Sequence, residues 1–176
     1  MEYKFRTLKA NEIDCRISII NGNGLSLLLY KDARVDQTIL DETVGAMNWQ
    51  RHHTRDNANC IISIWDESKK QWIEKEDTGT ESFTEKEKGL ASDSFKRAGF
   101  NWGIGRELYS APFIWISSSG AKIEDGTNGK KKCNDKFIVE QIIYDDNRNI
   151  VALSIVNATQ GKRVFVMDNR PKPQNK

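Results

Sequence analysis

A chain of 176 residues with 38% apolar and 30% charged residues is long enough for one domain with a modest core. Its 27 basic and 25 acidic residues leave a formal net charge of +2, so no global positive field predicts a polyanionic partner. The three cysteines form no CxxC pair, which argues against a disulfide framework, and no secretory leader or bilayer-spanning apolar run is visible. We therefore expect a cytoplasmic protein with no membrane partner.

The first part of the chain predicts a short helix, a hairpin and a longer helix. The short helix is expected at 10–15, and residues 16–30 are typical of a β-hairpin whose Asn-Gly repeats supply left-handed positions for the turn. Asp32 can cap the next helix, which ends at Gly45. Four apolar residues of this helix share one face, namely Val35, Ile39, Leu40 and Val44.

The middle of the chain predicts an antiparallel meander followed by a long helix. Strand patterns from Trp49 to Asp77 are separated by charged turns. Thr84 and Glu87 form a capping box for a helix expected over 85–109, whose apolar face includes Phe95, Ala98 and Trp102. Small residues on this face, Ala98 and Gly99 among them, would let another element approach closely.

The last third of the chain predicts short strands around a loop. Pro112 favours an edge position for a strand at 110–116, and residues 117–135 are expected to form a flexible basic loop. Strand patterns at 136–168 predict a small C-terminal β extension, and the polar tail 169–176 is expected to be disordered. Together with a core domain at 1–116, this is an α+β fold in which an antiparallel hairpin and meander pack on a long helix.

Candidates for catalysis are weak, and we expect a protein that is not an enzyme and needs no cofactor. His52 and His53 are adjacent on a predicted strand, so their side chains point to opposite faces. Neither the loop that begins at Gly22 (GNGL) nor the one that begins at Gly103 (GIGR) has the spacing of a phosphate-binding motif. The acids Glu74, Glu76 and Asp77 leave open a metal-dependent nucleic-acid enzyme, although a solvated strand face is the commoner role for such a cluster.

Basic residues concentrate in the long helix and just beyond it. Between residues 86 and 106 five cations face two acids, giving a local charge of +3; the cations are Lys86, Lys88, Lys96, Arg97 and Arg106. From composition alone such a helix is more often a solvated face than a binding site. The tryptophans at 49, 65, 72 and 102 can stack nucleic-acid bases, but core positions are commoner for them.

Three blocks of sequence resemble one family. They are LLLYKDARVDQTILDETVGAMNWQ (27–50), WIEKEDTGTES (72–82) and KEKGLASDSFKRAGFNWGIGRELY (86–109). Together they are similar to the Rad-fifty-two-type single-strand annealing superfamily, in the branch of phage annealing proteins and the bacterial DNA damage response protein A. The resemblance covers about residues 12–116 with the blocks in the family order.

The resemblance implies a DNA groove and a mechanism. Arg34 matches an arginine that lines the inner DNA groove of the family, and Lys96 with Arg97 matches its Lys-Arg pair. Phe100 stands where eukaryotic members carry a further basic residue. Lys69 and Lys70 are positional candidates for an outer DNA site, and the strands beyond residue 116 resemble the phage-type extension.

The implied function is ATP-independent binding of single-stranded DNA and annealing of complementary strands in recombination and repair. The implied partners are single-stranded DNA, further copies of the chain in a ring or filament, and a single-strand binding protein. A DNA-end protector without annealing activity is an alternative that keeps the same groove.

Overall fold

The computed structural model describes residues 3–80 and 86–171, except the side chains of residues 86–88 and 128. Within this part the chain is a mixed α+β protein with mostly antiparallel sheets and two α-helices, which confirms the predicted class. In chain order the elements are β1 (Asp14–Asn21), β2 (Gly24–Tyr30), α1 (Ala33–Val44), β3 (Trp49–Thr54), β4 (Asn59–Asp66), β5 (Gln71–Thr78), α2 (Lys86–Asn101), β6 (Ile114–Ser117), β7 (Ile123–Asp125), β8 (Lys131–Cys133), β9 (Phe137–Tyr144), β10 (Ile150–Asn157) and β11 (Lys162–Asp168).

The chain divides into two compact units. The first, which we call the helical unit, comprises Met1–Thr7 and Asp32–Arg106; the second, the sheet unit, comprises Leu8–Lys31 and Glu107–Lys176. The units thus alternate along the chain, whereas the predicted domains are consecutive ranges. No helix among the described residues is long and apolar enough to cross a membrane.

The helical unit contains the predicted meander, with strand order β3-β4-β5. The central strand β4 buries Cys60, Ile62 and Ile64, because its neighbours flank it on both sides and α2 contacts it. Helix α2 buries Phe95 and Ala98, as predicted from their spacing. The Trp102 indole nitrogen, just beyond α2, donates to the Ile62 carbonyl oxygen at 3.1 Å, which ties the end of the helix to the central strand.

Helix α1 matches the sequence prediction at both ends. Asp32 is its N-cap, since its Oδ1 accepts the Arg34 backbone N–H at 2.7 Å, and Gly45 is its C-cap with a φ of 85°. Ile39, Leu40 and Val44 are buried as predicted, but Val35 is only half-buried and Asp36 takes a fully buried position instead.

Helix α2 is shorter than predicted, because it ends at Asn101 and not at Tyr109. Gly103 takes a φ of 92°, its N–H bonds to the Phe100 carbonyl, and the Ile104 N–H bonds to the Gly99 carbonyl. This pair of bonds is a Schellman cap, which a glycine at the left-handed position favours. A separate 3-10 turn follows at Arg106–Ser110. The predicted capping box cannot be assessed, because Thr84 lies outside the described residues.

The sheet unit contains one six-stranded sheet with the order β11-β10-β9-β1-β2-β6. The predicted N-terminal hairpin is therefore confirmed, but the C-terminal strands do not form a separate added sheet. They join the hairpin through the antiparallel pair Asp14 and Ile138. The terminal position of β6 agrees with the edge strand predicted from Pro112.

Two local predictions in the sheet unit are wrong. Residues 10–15 form only a 3-10 turn at Ala10–Glu12 before β1 begins. The predicted loop 117–135 contains the paired strands β7 and β8, whose ends are joined by an ion pair between Lys131 and Asp125.

The tight turn between β1 and β2 also differs from its prediction, because neither Gly22 nor Gly24 has a positive φ. Gly24 is required for another reason. A Cβ at this position would lie 2.3 Å from the Ile116 carbonyl oxygen and 2.7 Å from the Trp115 ring, so the neighbouring strand β6 excludes a side chain.

Candidate nucleic-acid interface

Arg34 lies in the first turn of α1 and is strongly exposed, with 86% of its side chain accessible. Its guanidinium forms two hydrogen bonds with the helix cap, from Nε to Asp32 Oδ1 at 3.0 Å and from Nη2 to Oδ2 at 3.2 Å. These bonds lower the pKa of the Asp32 carboxyl below its usual range. An anion at Arg34 must therefore share the guanidinium with Asp32.

Lys96 lies on α2 and is half-exposed next to the buried Phe95. Its ammonium adds to the lowering of the Asp32 pKa, after the contributions of Arg34, so it lies within electrostatic range of the same carboxylate. Lys96 has no ion pair among the residues that the structure describes. Arg34 thus contacts Asp32 directly, and Lys96, from the other helix, acts on the same carboxylate only at longer range.

Arg97 follows Lys96 on α2 but is directed to the sheet. Its Nε lies 3.4 Å from Asp77 Oδ1 on β5, and 43% of its side chain remains exposed. The Asn101 amide donates to Asp77 Oδ2 at 3.3 Å and to the Glu76 carbonyl at 2.9 Å, which fixes the carboxylate from its other side. The Lys-Arg pair is therefore split, because Arg97 is paired with Asp77 whereas Lys96 has no ion pair among the described residues.

Arg106 caps the C-terminal end of α2. Its guanidinium donates to the Phe100 carbonyl through Nε and to the Asn101 carbonyl through Nη2 at 3.0 Å. A cation at this end of the helix is favourable because the helix dipole places partial negative charge there. A cation thus lies beside the Phe100 carbonyl group at the end of the helix.

Lys75 on β5 reaches the same end of α2. Its Nζ donates to the Asn101 carbonyl at 2.8 Å and lies 4.5 Å from the centroid of the Trp102 ring. This cation–π contact holds the ammonium at a defined point above the indole.

The remaining predicted cations have different environments. Lys69 and Lys70 lie in the turn between β4 and β5, where Lys70 forms an ion pair with Glu67 and Lys69 Nζ lies 3.8 Å from Asp66. Both are exposed. Lys86 and Lys88 belong to α2, but their side chains lie outside the described residues.

A cleft of about 380 Å³ in the helical unit was not predicted. Its floor is apolar, from Phe5, Ile64 and Ile73. Its walls and rim carry Tyr3, Trp65, Trp102, Lys69, Lys75 and Arg106. The alternation of residues along β5 could have predicted part of this cleft, because it places Ile73, Lys75 and Asp77 on one face, the face toward α2. Nothing in the sequence indicated that Tyr3 would contribute to it.

The tryptophans at 49, 65 and 72 have partners inside the helical unit. Trp49 stacks on Phe95 with centroids 6.1 Å apart, and Trp65 meets Trp72 edge to face at 5.6 Å. Trp49 therefore has the core role that is commoner for its residue type, whereas Trp65 also lines the cleft.

The three acids of the enzyme alternative do not share a face of the sheet. Glu74 accepts from the Ser63 hydroxyl and Glu76 from the Asn59 amide, whereas Asp77 faces Arg97 on the other side. The described residues contain no group of three or more potential metal ligands. The acids at 74, 76 and 77 therefore cannot bind one ion together.

Comparisons with family models, curated proteins and solved structures give no match for this chain. The resemblance to annealing proteins therefore stays a prediction from the three sequence blocks.

Proposed function

We propose that this protein binds single-stranded DNA and anneals complementary strands without nucleotide hydrolysis, as an oligomer. The observation that carries the proposal is the contact between α1 and α2, the two helices that bear the exposed Arg34 and the half-exposed Lys96. Both residues were singled out by separate sequence blocks, 27–50 and 86–109, and the two blocks approach each other in the folded helical unit.

The chemistry suits a DNA backbone better than a small specific ligand. Arg34 offers an exposed guanidinium and Lys96 a compact ammonium, and such cations attract phosphates with little regard for base sequence. Arg97 can add a third contact, because its pair with Asp77 uses Nε, and its terminal amino groups have no hydrogen bond among the described residues. Bases held by the backbone alone stay accessible for pairing.

The finer architecture is part of the proposal. The β4–β5 hairpin packed on α2 would serve as the annealing core, and repetition of this core around a ring or along a filament would join the local cation sites into one track. A small net charge of +2 is compatible with such a track, since the cations act locally.

Annealing of two complementary oligonucleotides, followed by fluorescence quenching without any nucleotide, tests this function. We expect the wild-type chain to accelerate pairing at least tenfold, and the Arg34→Gln/Lys96→Gln double variant to lose most of that acceleration. Lys122→Gln is the matched control, because Lys122 is an exposed cation of the sheet unit paired with Glu124.

Three outcomes contradict the proposal. Tight binding of single strands without faster pairing identifies a DNA-end protector. Strand cleavage in Mg²⁺ or Mn²⁺ that is lost in Asp77→Ala identifies an enzyme. A native mass that stays monomeric with and without DNA excludes the oligomeric mechanism.

A further inference from the structure

We propose that the cleft between the β4–β5 hairpin and the end of α2 binds one nucleotide unit, with the base over the apolar floor and the phosphate on the cations of the rim. The proposal rests on the proposed function only in taking a single DNA strand as the source of that nucleotide. No part of the cleft involves Arg34, Lys96 or Arg97.

The inner part of the cleft suits a flat heteroaromatic ring. Phe5 and Ile64 are buried beneath it, with exposed fractions of 4% and 1%, and Ile73 completes an apolar floor. Tyr3 and Trp102 add aromatic surface around this floor, whereas the Trp65 ring packs against Trp72 on the opposite face of the sheet. Base stacking on aromatic side chains contributes about 1–3 kcal/mol per base and tolerates any base.

The rim suits a phosphate. Lys75 and Arg106 both donate to the Asn101 carbonyl, so their cationic groups converge on one atom at the mouth of the cleft. Each keeps further N–H groups for an anion, because an ammonium has three donors and a guanidinium five. Lys69 lines the cleft as a third, more exposed cation.

Asp66 is the one carboxylate among the residues that line this cleft. Its Oδ1 accepts the Ser68 N–H, the Ser68 hydroxyl and the Lys69 N–H, and Oδ2 lies 3.8 Å from Lys69 Nζ. These hydrogen bonds, that of the Ser68 hydroxyl first, lower the pKa of Asp66. The Asp66 carboxylate is thus used within the turn, and the rim carries three positive charges, on Lys69, Lys75 and Arg106, against this single negative charge.

The size of the cleft agrees with this ligand. A volume of about 380 Å³ falls within the range of roughly 300–1,000 Å³ that is usual for small-molecule sites. The combination of apolar floor, aromatic walls and cationic mouth matches a nucleotide, which joins a flat base to an anionic phosphate.

The test is a titration of the full chain with thymidine monophosphate, thymidine, inorganic phosphate and a twelve-residue oligothymidylate. Binding is followed by calorimetry and by the NMR signal of the Trp102 indole N–H group. We expect thymidine monophosphate to shift this signal and to bind at least fivefold tighter than thymidine or phosphate alone. The oligothymidylate should compete with it.

The variant Lys75→Gln should raise the Kd of thymidine monophosphate five- to tenfold and leave that of thymidine unchanged. Its fold should persist, because the Asn101 carbonyl keeps its bond from Arg106. Lys69→Gln is a second variant with an expected two- to threefold effect, and Lys122→Gln is the control. An unchanged Kd in both cleft variants overturns the proposal, as does binding explained by phosphate alone.

The two proposals fail in distinguishable ways. Arg34→Gln/Lys96→Gln should lose annealing but bind thymidine monophosphate as the wild type does. If complementary oligonucleotides anneal normally while the indole signal of Trp102 does not respond to the nucleotide, the cleft proposal is wrong by itself. If the nucleotide binds and the oligothymidylate does not compete, a free nucleotide is the ligand and the strand as its source is excluded.

Discussion

Particular cations of the sheet unit and of the helical unit differ in the partners that they have. In the sheet unit, Arg163 on β11 forms two hydrogen bonds with Glu140 on β9, across the intervening strand β10, at 2.6 and 2.7 Å. Arg148 bonds to the buried Glu107 at 2.9 Å. In the helical unit, Lys96 and Lys75 have no carboxylate partner among the described residues. Cations of the first kind stabilise the fold, and those of the second kind remain available for an anion.

This difference shows that a count of basic residues does not locate a binding site. The C-terminal region is rich in Lys and Arg, yet Arg163 and Arg170 are both paired there with carboxylates. In the helical unit Arg34 and Arg97 are also paired with carboxylates, but Lys75 donates to a carbonyl group and Lys96 has no ion pair among the described residues. Four predictions test this contrast, starting with the largest effect.

The Glu107→Ala variant should lose about 3 kcal/mol of unfolding free energy, because removal of one partner leaves buried polar groups uncompensated. Glu107 has a fully buried side chain that accepts from the Leu8 N–H at 2.7 Å and from Arg148. Urea unfolding measures the change. Glu124→Ala, which removes an exposed pair, should stay within about 0.5 kcal/mol of the wild type, and equal losses in the two variants would contradict the structural role of Glu107.

The Gly24→Ala variant should destabilise the sheet unit by about 2 kcal/mol, since the new methyl group must displace β6 or the Trp115 ring. Gly22→Ala is the control in the same turn, because a Cβ there has no neighbour within 4 Å. Thermal unfolding of both variants checks the difference, and similar midpoints would show that the strands are not so close.

The Asp77→Asn variant should bind single-stranded DNA two- to fivefold tighter at low salt. The change releases Arg97 from its ion pair and removes one negative charge beside it. Anisotropy titration of a labelled oligonucleotide measures the Kd. Weaker binding would mean that Asp77 positions Arg97 for the phosphate and does not compete with it.

Acid should weaken the sheet unit through Glu140. Hydrogen bonds from Arg163 and Ser154 lower the pKa of its carboxyl from 4.5 to about 2. Because the folded pKa is the lower one, this contribution to stability is present above pH 4.5 and is lost as the pH falls toward about 2. Urea midpoints measured between these pH values should fall less in Arg163→Gln than in the wild type, and parallel curves would exclude this linkage.

The parts of the fold that were predicted correctly depend on local patterns. The Asp32 cap, the apolar face of α1 and the β3-β4-β5 meander follow from spacing within short segments. The union of the N-terminal hairpin with β9–β11 was missed, because the pair Asp14 and Ile138 joins residues far apart in the chain. The early end of α2 differs from the prediction because Gly103 takes a left-handed conformation and forms the Schellman cap.

In the candidate site, too, local sequence predicted some features, and others depend on contacts between distant residues. Arg34 and Lys96 were named from sequence blocks, but the sequence did not show that Arg97 faces Asp77. Lys75 was overlooked because its neighbours in the sequence are acids. Its role at the cleft depends on Trp102 and Asn101, which the fold brings to it.

The most direct test of the central claim is the salt dependence of binding to single-stranded DNA. Each phosphate contact contributes a slope of about 0.7 in the logarithm of the binding constant against the logarithm of salt concentration. We expect Lys96→Gln to reduce the slope by about 0.7, in keeping with one lost contact, and Lys122→Gln to leave it unchanged. Equal slopes for the wild type and Lys96→Gln, or no binding by the wild type, would contradict the account.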